Sequence, residues 1–365
     1  MSVIIVGAGV SGLSTAWALT KRSVSVTLIE QGPIPNPLSA SGDQHRIIRR
    51  AYGGHGGYQR RIGDAYAAWD EMWADIGQKH LVETGFLLLS QIEGDGGDEY
   101  RTGLIDGGYP FDDMSAKETA ARFPFIDADT IRWGAHSDEG GVLLCQKIAS
   151  DLRDWLLEKG TDIRENTRVV SVDAEAGSVS LADGSVLHAD HVIVTAGAWT
   201  LGLFPKFKTS LTTYRTAVVY LTPPEDLKAA WAAGPAILDP GGTIDGYVLP
   251  PVPGTGLKFG AGIHKYTAEP DQDRFAKAGE GETLRDYFSP PFGRIKEYNV
   301  DDVVTCAYTF TSDEHFFCTT EGKVTVVSAC SGHGYKFGAV VGQKLADGFQ
   351  SKDMDMARIW LEARD

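Results

Sequence analysis

The stretch that decides the fold stands at the N-terminus, where residues 2–30 read SVIIVGAGVSGLSTAWALTKRSVSVTLIE. The apolar run 2–6 predicts a short, fully buried strand, and residues 24–29 predict a second strand. Between them, residues 13–22 carry apolar side chains at helical spacing. The order strand, helix, strand predicts one βαβ unit at the start of an α/β fold.

Three glycines, Gly7, Gly9 and Gly12, separate the first strand from the helix in the order G-x-G-x-x-G. Gly7 makes a tight turn, Gly9 lets the backbone approach a pyrophosphate, and Gly12 lets the helix pack closely on the strand. Val10 and Ser11 follow at the helix N-terminus, where free N–H groups and positive potential attract phosphate. The pattern and its position between strand and helix predict a dinucleotide-binding loop.

Glu30 ends the second strand, and we expect its carboxylate, next to Gln31, to accept hydrogen bonds from an adenosine ribose. The glycine loop alone does not choose between NAD and FAD. Residues 324–336 again read as strand, glycine turn and helix, so a second helix N-terminus is expected to face the same cofactor. Lys336 at that turn would stabilise negative charge on a reduced flavin, which favours FAD over NAD.

The composition is that of a globular protein. The chain has 365 residues and a mass of 39.4 kDa, which predicts two interlocked domains. Lys and Arg number 34 against 49 Asp and Glu, and the net charge of −15 argues against nucleic acid and membrane surfaces as partners. No run approaches the ~20 apolar residues of a spanning helix, so we expect a cytoplasmic protein.

The cysteines number four and are too scattered for a disulfide scaffold or a metal site. Cys145, Cys318 and Cys330 are expected to be small buried apolar residues. No other cluster of histidines and cysteines offers ligands to a metal, so no metal is predicted.

Helical and strand-like patterns alternate in blocks along the rest of the chain. Residues 31–57 are rich in Gly, Pro, Ser and charge and predict a long loop, and 93–97 predict a turn. Helical spacing predicts helices over 58–78, 115–123, 146–159, 224–233 and 334–349. Other apolar patterns predict strands over 84–90, 169–173, 178–181, 186–187, 191–196, 214–222, 247–249, 257–262, 303–310, 316–319 and 324–328.

The helix-bearing blocks lie at the start, middle and end of the chain, with strand-rich blocks between them. We therefore predict an α/β fold: a Rossmann-type FAD-binding domain with an inserted, mainly antiparallel β-sheet substrate domain. The predicted FAD-binding domain comprises 1–85, 146–213 and 306–365. The predicted substrate-binding domain comprises 86–145 and 214–305.

Several longer motifs carry a family resemblance. They are DQHRIIRRAYG at 43–53, GAW at 197–199, GLK at 256–258, CAYTFTSDEHF at 306–316 and SGHGYKF at 331–337. With the N-terminal glycine loop, they resemble the monomeric sarcosine oxidase branch of the glycine/D-amino-acid-oxidase-like flavoproteins. The resemblance implies a monomeric, FAD-dependent enzyme. It would oxidise a secondary-amine amino acid (sarcosine, an N-methyl or a cyclic imino acid) to an imine and reduce O2 to H2O2.

The resemblance also implies roles for single residues. Cys306 matches the cysteine that carries FAD through an 8α-thioether, so the cofactor is expected to be covalently bound. Arg49 and Lys336 match the pair that grips the substrate carboxylate, through a planar fork and a point charge. Lys258 matches a lysine that assists oxygen, because a fixed cation favours superoxide formation.

Other positions are assigned in the same way. Tyr247, His264 and Tyr308 match an aromatic and imidazole lining of the substrate pocket. The resemblance implies further cofactor contacts from His45, Arg46, Val169, Gly197, Trp199, Gly332 and Gly334.

Two departures concern the substrate side. Ser39 to Ser41 stand where the family carries histidines, and the spacing from Lys258 to His264 is two residues longer than in the family. The flavin chemistry therefore transfers better than the substrate identity. The alternatives are a flavin dehydrogenase with another electron acceptor, an oxidase of fructosyl amino acids, an NAD-dependent oxidoreductase and a non-catalytic FAD-binding module.

Overall fold

The structure is a computed structural model that describes residues 1–53, 56–328 and 330–364. Gly54 and His55, which belong to the predicted loop 31–57, lie outside the described residues, as do Ala329 and Asp365. The strands are β1 (Ser2–Val6), β2 (Ser25–Ile29), β3 (His45–Arg49), β4 (Leu81–Val82), β5 (Phe86–Ser90), β6 (Asp112–Ser115), β7 (Trp133–Ser137), β8 (Gly140–Leu144), β9 (Asp162–Arg164), β10 (Val169–Asp173), β11 (Ser178–Leu181), β12 (Val186–His188), β13 (His191–Val194), β14 (Thr212–Thr222), β15 (Ala236–Asp239), β16 (Gly246–Leu249), β17 (Leu257–Ala261), β18 (Tyr266–Thr267), β19 (Asn299–Phe310), β20 (Phe317–Glu321) and β21 (Val324–Ser328). The α-helices are α1 (Val10–Lys21), α2 (Gly56–Ile76), α3 (Gly96–Gly107), α4 (Ala116–Arg122), α5 (Cys145–Glu158), α6 (Thr200–Leu203), α7 (Glu225–Ala232), α8 (Glu280–Tyr287), α9 (Gly338–Ser351) and α10 (Met354–Glu362).

The first sheet has six strands in the order β20-β21-β13-β1-β2-β9, and all pairs are parallel except β20 with β21. Val3 and Ile5 of β1 pack in a core that includes α1, α2, α5 and α9. Ile4 and Val6 point to the other face, in a core shared with β10 and β11. Because both faces of β1 are covered, its sequence is a continuous apolar run. The predicted βαβ opening is confirmed.

The second large sheet has the order β18-β14-β17-β16-β15-β5-β7-β6, with β19 paired to β14. Its strand pairs are antiparallel except β15 with β5. One face packs an aromatic core in which Trp231 of α7 stacks on Phe125 and meets Phe259 of β17 edge to face. The predicted α/β class, with a parallel nucleotide sheet and a mainly antiparallel second sheet, is confirmed.

Two strand pairings cross the predicted domain boundaries, one in the second large sheet and one in a separate three-stranded sheet of order β3-β8-β4. Strand β19 crosses the predicted boundary between residues 305 and 306 and pairs along most of β14, with Cys306 opposite Thr216. Strand β8, from the predicted substrate-binding domain, pairs with β3 and β4 of the predicted FAD-binding domain. The exact division of the chain into two domains stays a prediction.

The loop predicted over 31–57 is wrong at β3, which pairs with β8 in antiparallel register. The sequence of β3, HRIIR, hides the strand because its charged side chains resemble those of a surface loop, yet His45 and Arg49 are buried. The turn predicted over 93–97 is wrong at its end, where α3 begins at Gly96, and α10 was not predicted. The predicted closing helix starts as a 3-10 turn, Tyr335–Phe337, before α9.

The expectation for the cysteines is confirmed for Cys145 and Cys318, which are buried, and wrong for Cys330, which is exposed. Cys330 follows the end of β21 in the glycine turn, where the backbone leaves the core. Cys330 lines the cavity described below, which accounts for its exposure.

The crossing of α1 and α9 gives a test of the packing of the first sheet's helices. A Cβ on Gly342 of α9 would lie 2.2 Å from the backbone oxygen of Ser14, so Gly342→Ala forces the helices apart. We expect a loss of about 1–3 kcal/mol in the free energy of unfolding, measured with a denaturant. The control is Gly63→Ala in α2, where the nearest atom is 3.9 Å away and about 0.5–1 kcal/mol of stabilisation is expected. Equal effects in both variants would contradict the tight crossing.

Candidate active site

A cavity of about 590 Å³ opens where β1, β2, β13 and β21 end. The carboxyl ends of parallel strands meet at this edge, which is where open α/β sheets bind ligands. The residues of the predicted cofactor set that line the cavity are Gly7, Gly9, Val10, Ser11, Glu30, Gln31, Arg46, Val169, Gly197, Trp199, Gly332 and Gly334. Gly12, His45, Cys306 and Lys336 are not in its wall.

The glycine loop leaves no room for side chains. Gly7 has a φ of +100°, and a Cβ there would lie 2.7 Å from the backbone oxygen of Thr195. A Cβ on Gly12 would lie 1.8 Å from the oxygen of Gly7, so the absence of a side chain lets α1 start against the end of β1. The first turn of α1 carries no acidic residue, and its first two residues, Val10 and Ser11, line the cavity. This cradle fits a pyrophosphate.

Glu30 is buried and held from several sides. One carboxylate oxygen accepts from the backbone N–H of Ala8 at 2.8 Å, and the other accepts from Asn36 Nδ2 at 2.9 Å. The fixed carboxylate lines the cavity, and its hydrogen bond to a ribose hydroxyl stays a prediction. Asn36 and Ser41, whose Oγ accepts from the N–H of Val10 at 3.0 Å, were missed because they lie in the segment read as a plain loop.

At another part of the cavity, Arg46 joins Cys306 and Tyr308. The Nη2 atom of Arg46 lies 3.3 Å from Tyr308 Oη and 4.0 Å from Cys306 Sγ. Cys306 is 3% exposed, and Arg46 and Tyr308 are in the cavity wall. A guanidinium at this distance is placed to stabilise negative charge on the sulfur.

Arg49 and Lys336 converge on one ring. The guanidinium carbon of Arg49 lies 4.4 Å from the centroid of the Tyr52 ring, and Lys336 Nζ lies 5.3 Å from the same centroid. Lys336 Nζ also donates to Tyr52 Oη at 3.3 Å and to the backbone oxygen of His333 at 2.9 Å. Sequence analysis gave Tyr52 no role, although it stands in the same motif as Arg49.

Neither cation has a charged partner among the residues that the structure describes. Arg49 donates to the backbone oxygen of Ala51, and within 1–53, 56–328 and 330–364 no carboxylate forms an ion pair with Arg49 or Lys336. Both side chains are buried, at 6% and 4% exposed. Burial, together with the charge of Arg49, lowers the pKa of Lys336 well below its ordinary value. Two buried cations without a counter-ion form a site for an anion.

Lys258 is fully buried and lies in a different group. Its Nζ donates to Asp43 Oδ2 at 2.8 Å and to the backbone oxygen of His45 at 2.9 Å, and lies 5.6 Å from the centroid of the Tyr247 ring. Asp43 also pairs with Arg46 at 2.5 Å, so this group adjoins the one around Cys306. Sequence analysis missed Asp43 as a partner of both cations.

His264 is the predicted site residue that stands apart. It ends a 3-10 turn, Gly262–His264, and its Nδ1 lies 4.0 Å from Glu280, which pairs with the buried Arg215. His264 is 25% exposed and is not part of the cavity wall. The two-residue change in spacing from Lys258 was the sequence signal that this position departs from the family.

Two absences concern only the part of the chain that the structure describes. No helix there has the length and apolar character needed to cross a bilayer. No three or more His, Cys, Asp or Glu side chains there come together as metal ligands.

Comparison with known proteins shows the family. Residues 2–348 match the model of the FAD dependent oxidoreductase family, DAO, and the chain belongs to this family. Monomeric sarcosine oxidase from Bacillus sp. (strain B-0618) is 27% identical over 362 residues, covering 94% of this chain and 90% of the relative. The predictions of an FAD-dependent oxidoreductase and of a sarcosine oxidase-like chain are confirmed.

Solved structures show the same fold. Fructosyl amine: oxygen oxidoreductase (Amadoriase I) from Aspergillus fumigatus superposes with a TM-score of 0.80 at 19% identity, covering 97% of this chain and 87% of that one. L-Proline dehydrogenase from P. horikoshii gives a TM-score of 0.83 at 17% identity, covering 99% and 96%. These likenesses concern the fold.

The lowered pKa of Lys336 predicts a pH dependence of anion binding. Because the ammonium is needed to hold an anion, affinity is full below the lowered pKa and falls by about tenfold per pH unit above it. We expect propionate, a carboxylate without an oxidisable amine, to bind the FAD-loaded protein with proton uptake and more weakly as the pH rises. Titration by flavin absorbance checks this, and calorimetry in buffers of different ionisation enthalpy counts the protons. Affinity that stays constant with pH, or that varies equally in Lys336→Met, would contradict it.

Proposed function

We propose that the chain is an oxidase of secondary-amine amino acids such as sarcosine, N-methyl amino acids or cyclic imino acids. The products are an imine, which hydrolyses in water, and H2O2. The observation that carries this proposal is the pair of buried cations, Arg49 and Lys336, that meet on Tyr52 with no carboxylate partner in the described part of the chain. The sarcosine oxidase relative supports the same substrate class.

The proposed clamp works by geometry and charge. Arg49 offers a planar fork to the two oxygens of a carboxylate, and Lys336 adds a point charge. Both cations pack against the Tyr52 ring. Burial raises the pKa of the Tyr52 hydroxyl, so this group keeps its proton and remains a hydrogen-bond donor. Holding the carboxylate leaves the substrate's amine and adjacent carbon to be oriented by the pocket. We propose that Tyr247 and Tyr308 belong to that pocket.

FAD, when bound along the cavity, supplies the redox chemistry by taking two electrons from the C–N unit and returning them to O2. The chain supplies binding and fixed charge: Gly7, Gly9 and α1 for the pyrophosphate, and Glu30 for the ribose. Lys258 is proposed to provide the positive charge for the reaction with oxygen. Three further points stay predictions: the division into an FAD-binding and a substrate-binding domain, a monomeric state and a cytoplasmic location.

A covalent bond from Cys306 to the cofactor is also proposed. The sulfur lies beside Arg46, at 4.0 Å, next to the cavity wall. Joining the sulfur to the flavin 8-methyl carbon would break one S–H and one C–H bond; the two electrons would pass to the flavin and then to O2, which would leave as H2O2 with the two protons. Cys145 also has Arg46 as a neighbour but, like Cys318, does not line the cavity, whereas Cys330 does.

The direct test of function is a screen of the FAD-loaded protein. Sarcosine, N-methyl amino acids, L-proline and fructosyl amino acids are supplied in air, and H2O2 is measured with a peroxidase. We expect peroxide from a secondary-amine amino acid and a loss of about 10²-fold in kcat/KM in Arg49→Met, because the clamp acts in both ground and transition states. Esters of the same substrates are the matched control, since they lack the anionic oxygen pair.

Each other outcome selects an alternative. Cofactor reduction without peroxide, with turnover restored by an artificial electron acceptor, would make the chain a dehydrogenase. Peroxide only from fructosyl amino acids would assign the sugar-modified class. Equal turnover of acids and esters, or an Arg49→Met variant as active as the wild type, would remove the clamp from the proposal.

Covalent attachment has its own test. Acid precipitation of the purified protein is expected to leave the yellow colour in the pellet, because a thioether survives the loss of the fold. In Cys306→Ser the colour should pass to the supernatant, while Cys318→Ser should behave like the wild type. Mass spectrometry of the intact chain measures the added FAD. Colour released from the wild type would show that FAD is held without a covalent bond.

A further inference from the structure

We propose that Asp43 is a positioning residue that keeps Lys258 charged and aims its one remaining N–H for the reaction with oxygen. The inference rests on the proposed oxidase function. It concerns a carboxylate that contacts neither Arg49 nor Lys336 and is not itself among the residues that line the cavity. Asp43 therefore acts through Lys258 and not on the substrate.

The contacts of Asp43 come from three strands or their flanking segments. Its Oδ2 accepts from Lys258 Nζ of β17 at 2.8 Å and pairs with Arg46 of β3 at 2.5 Å. Its Oδ1 accepts from Tyr220 Oη of β14 at 2.5 Å and from the backbone N–H of Gln44 at 2.8 Å. The side chains of Asp43 and Lys258 are 2% and 0% exposed. A buried carboxylate with this many donors has little freedom to move.

Counting donors fixes the direction of the ammonium. A lysine ammonium has three N–H groups. Asp43 and the backbone oxygen of His45 accept two of them, and the structure gives no hydrogen-bond partner for the third among the residues it describes. With two of the tetrahedral positions held by fixed acceptors, the third points in one direction. Removing the Asp43 acceptor frees the ammonium to rotate.

The charges around Lys258 explain why the carboxylate matters. Lys258 and Arg46 are both cations, and Asp43 carries the negative charge that both contact. Although burial alone would raise it, the charges of Lys258 and Arg46 hold the pKa of Asp43 well below its usual range. If Asp43 becomes neutral, two buried cations remain side by side. Arginine keeps its proton, so the lysine is the group that loses one as the pH rises.

This charge is what the oxygen reaction requires. O2 accepts one electron first and becomes superoxide, and a second electron and two protons then complete H2O2. A fixed ammonium nearby stabilises the superoxide anion without giving up its own proton. A lysine that has become neutral gives no such stabilisation. The electrons come from the amine substrate, so the step needs no reductant beyond the proposed function.

The pKa values of three side chains near the Lys258 ammonium, His45, Cys145 and Tyr220, are shifted away from neutral pH. Burial and the charge of Lys258 lower the pKa of His45 to about 3, and burial raises the pKa of Cys145 to about 11. Burial and the Asp43 carboxylate raise the pKa of the Tyr220 hydroxyl well above its ordinary value. Tyr247 presents its ring to the ammonium. A pH dependence of the oxygen reaction that is present in an Asp43 variant and absent in the wild type is thus assigned to Lys258.

The experiment measures the two half-reactions separately in FAD-loaded protein. Wild type, Asp43→Asn, Lys258→Met and the double variant are first reduced by substrate without oxygen, and then mixed with O2 in a stopped-flow instrument from about pH 6 to about pH 10. Retained FAD absorbance shows that each variant is folded. Tyr220→Phe, which keeps the ring and removes only the hydroxyl donor to Asp43, is the mild variant.

We expect Asp43→Asn to slow reoxidation by about tenfold or more at high pH, with recovery toward low pH, while wild type stays level. Lys258→Met should be slow at every pH, and adding Asp43→Asn to it should cause little further loss. Tyr220→Phe should show a smaller change of the same sign. Anaerobic reduction by substrate should change little in all of them.

Three results would overturn the inference, each in a recognisable way. Equal losses in both half-reactions of Asp43→Asn would show a structural role only. A level pH profile in that variant, or additive losses in the double variant, would show that Asp43 does not act through Lys258. Wild-type reoxidation in Lys258→Met would instead contradict the oxygen role of Lys258 in the proposed function itself.

Discussion

The site depends on keeping two like charges buried beside the same aromatic ring. Arg49 and Lys336 come from distant parts of the chain, and nothing in the described residues neutralises them. Such an arrangement costs free energy, and the packed frame of β3, β8 and the turn before α9 has to hold it. The arrangement around Asp43, just before β3, is the opposite, because one carboxylate contacts two cations, Lys258 and Arg46. Strand β3 therefore carries two kinds of arginine: Arg49, which has no charged partner among the described residues, and Arg46, which is paired with a carboxylate.

Glycine and apolar periodicity made much of the first sheet predictable. The βαβ opening follows from local rules, since Gly7 and Gly12 leave no room for a Cβ and β1 is apolar on both faces. Strand β3 was not predictable in this way. Besides its local partner Asp43, Arg46 of this strand has a partner far along the chain, Tyr308, which no local pattern contains.

The same limit applies to the site. Motif resemblance identified Arg49, Lys336, Cys306 and Lys258, because families keep such groups at recognisable positions. It gave no role to Tyr52, Asp43 or Tyr220, whose importance lies in what they contact across sheets. It also grouped His264 with the pocket, while the structure places it beside Glu280. Contacts between distant strands have to be seen in three dimensions.

The position of Cys306 on β19 has a mechanical consequence. The glycine cradle belongs to the parallel sheet, while β19 runs beside β14 in the antiparallel sheet. FAD bound at one end by the cradle and covalently attached at the other end to Cys306 would link the two sheets. Cofactor binding would then make the two sheets unfold together. The chain without its cofactor would be the form most susceptible to proteolysis.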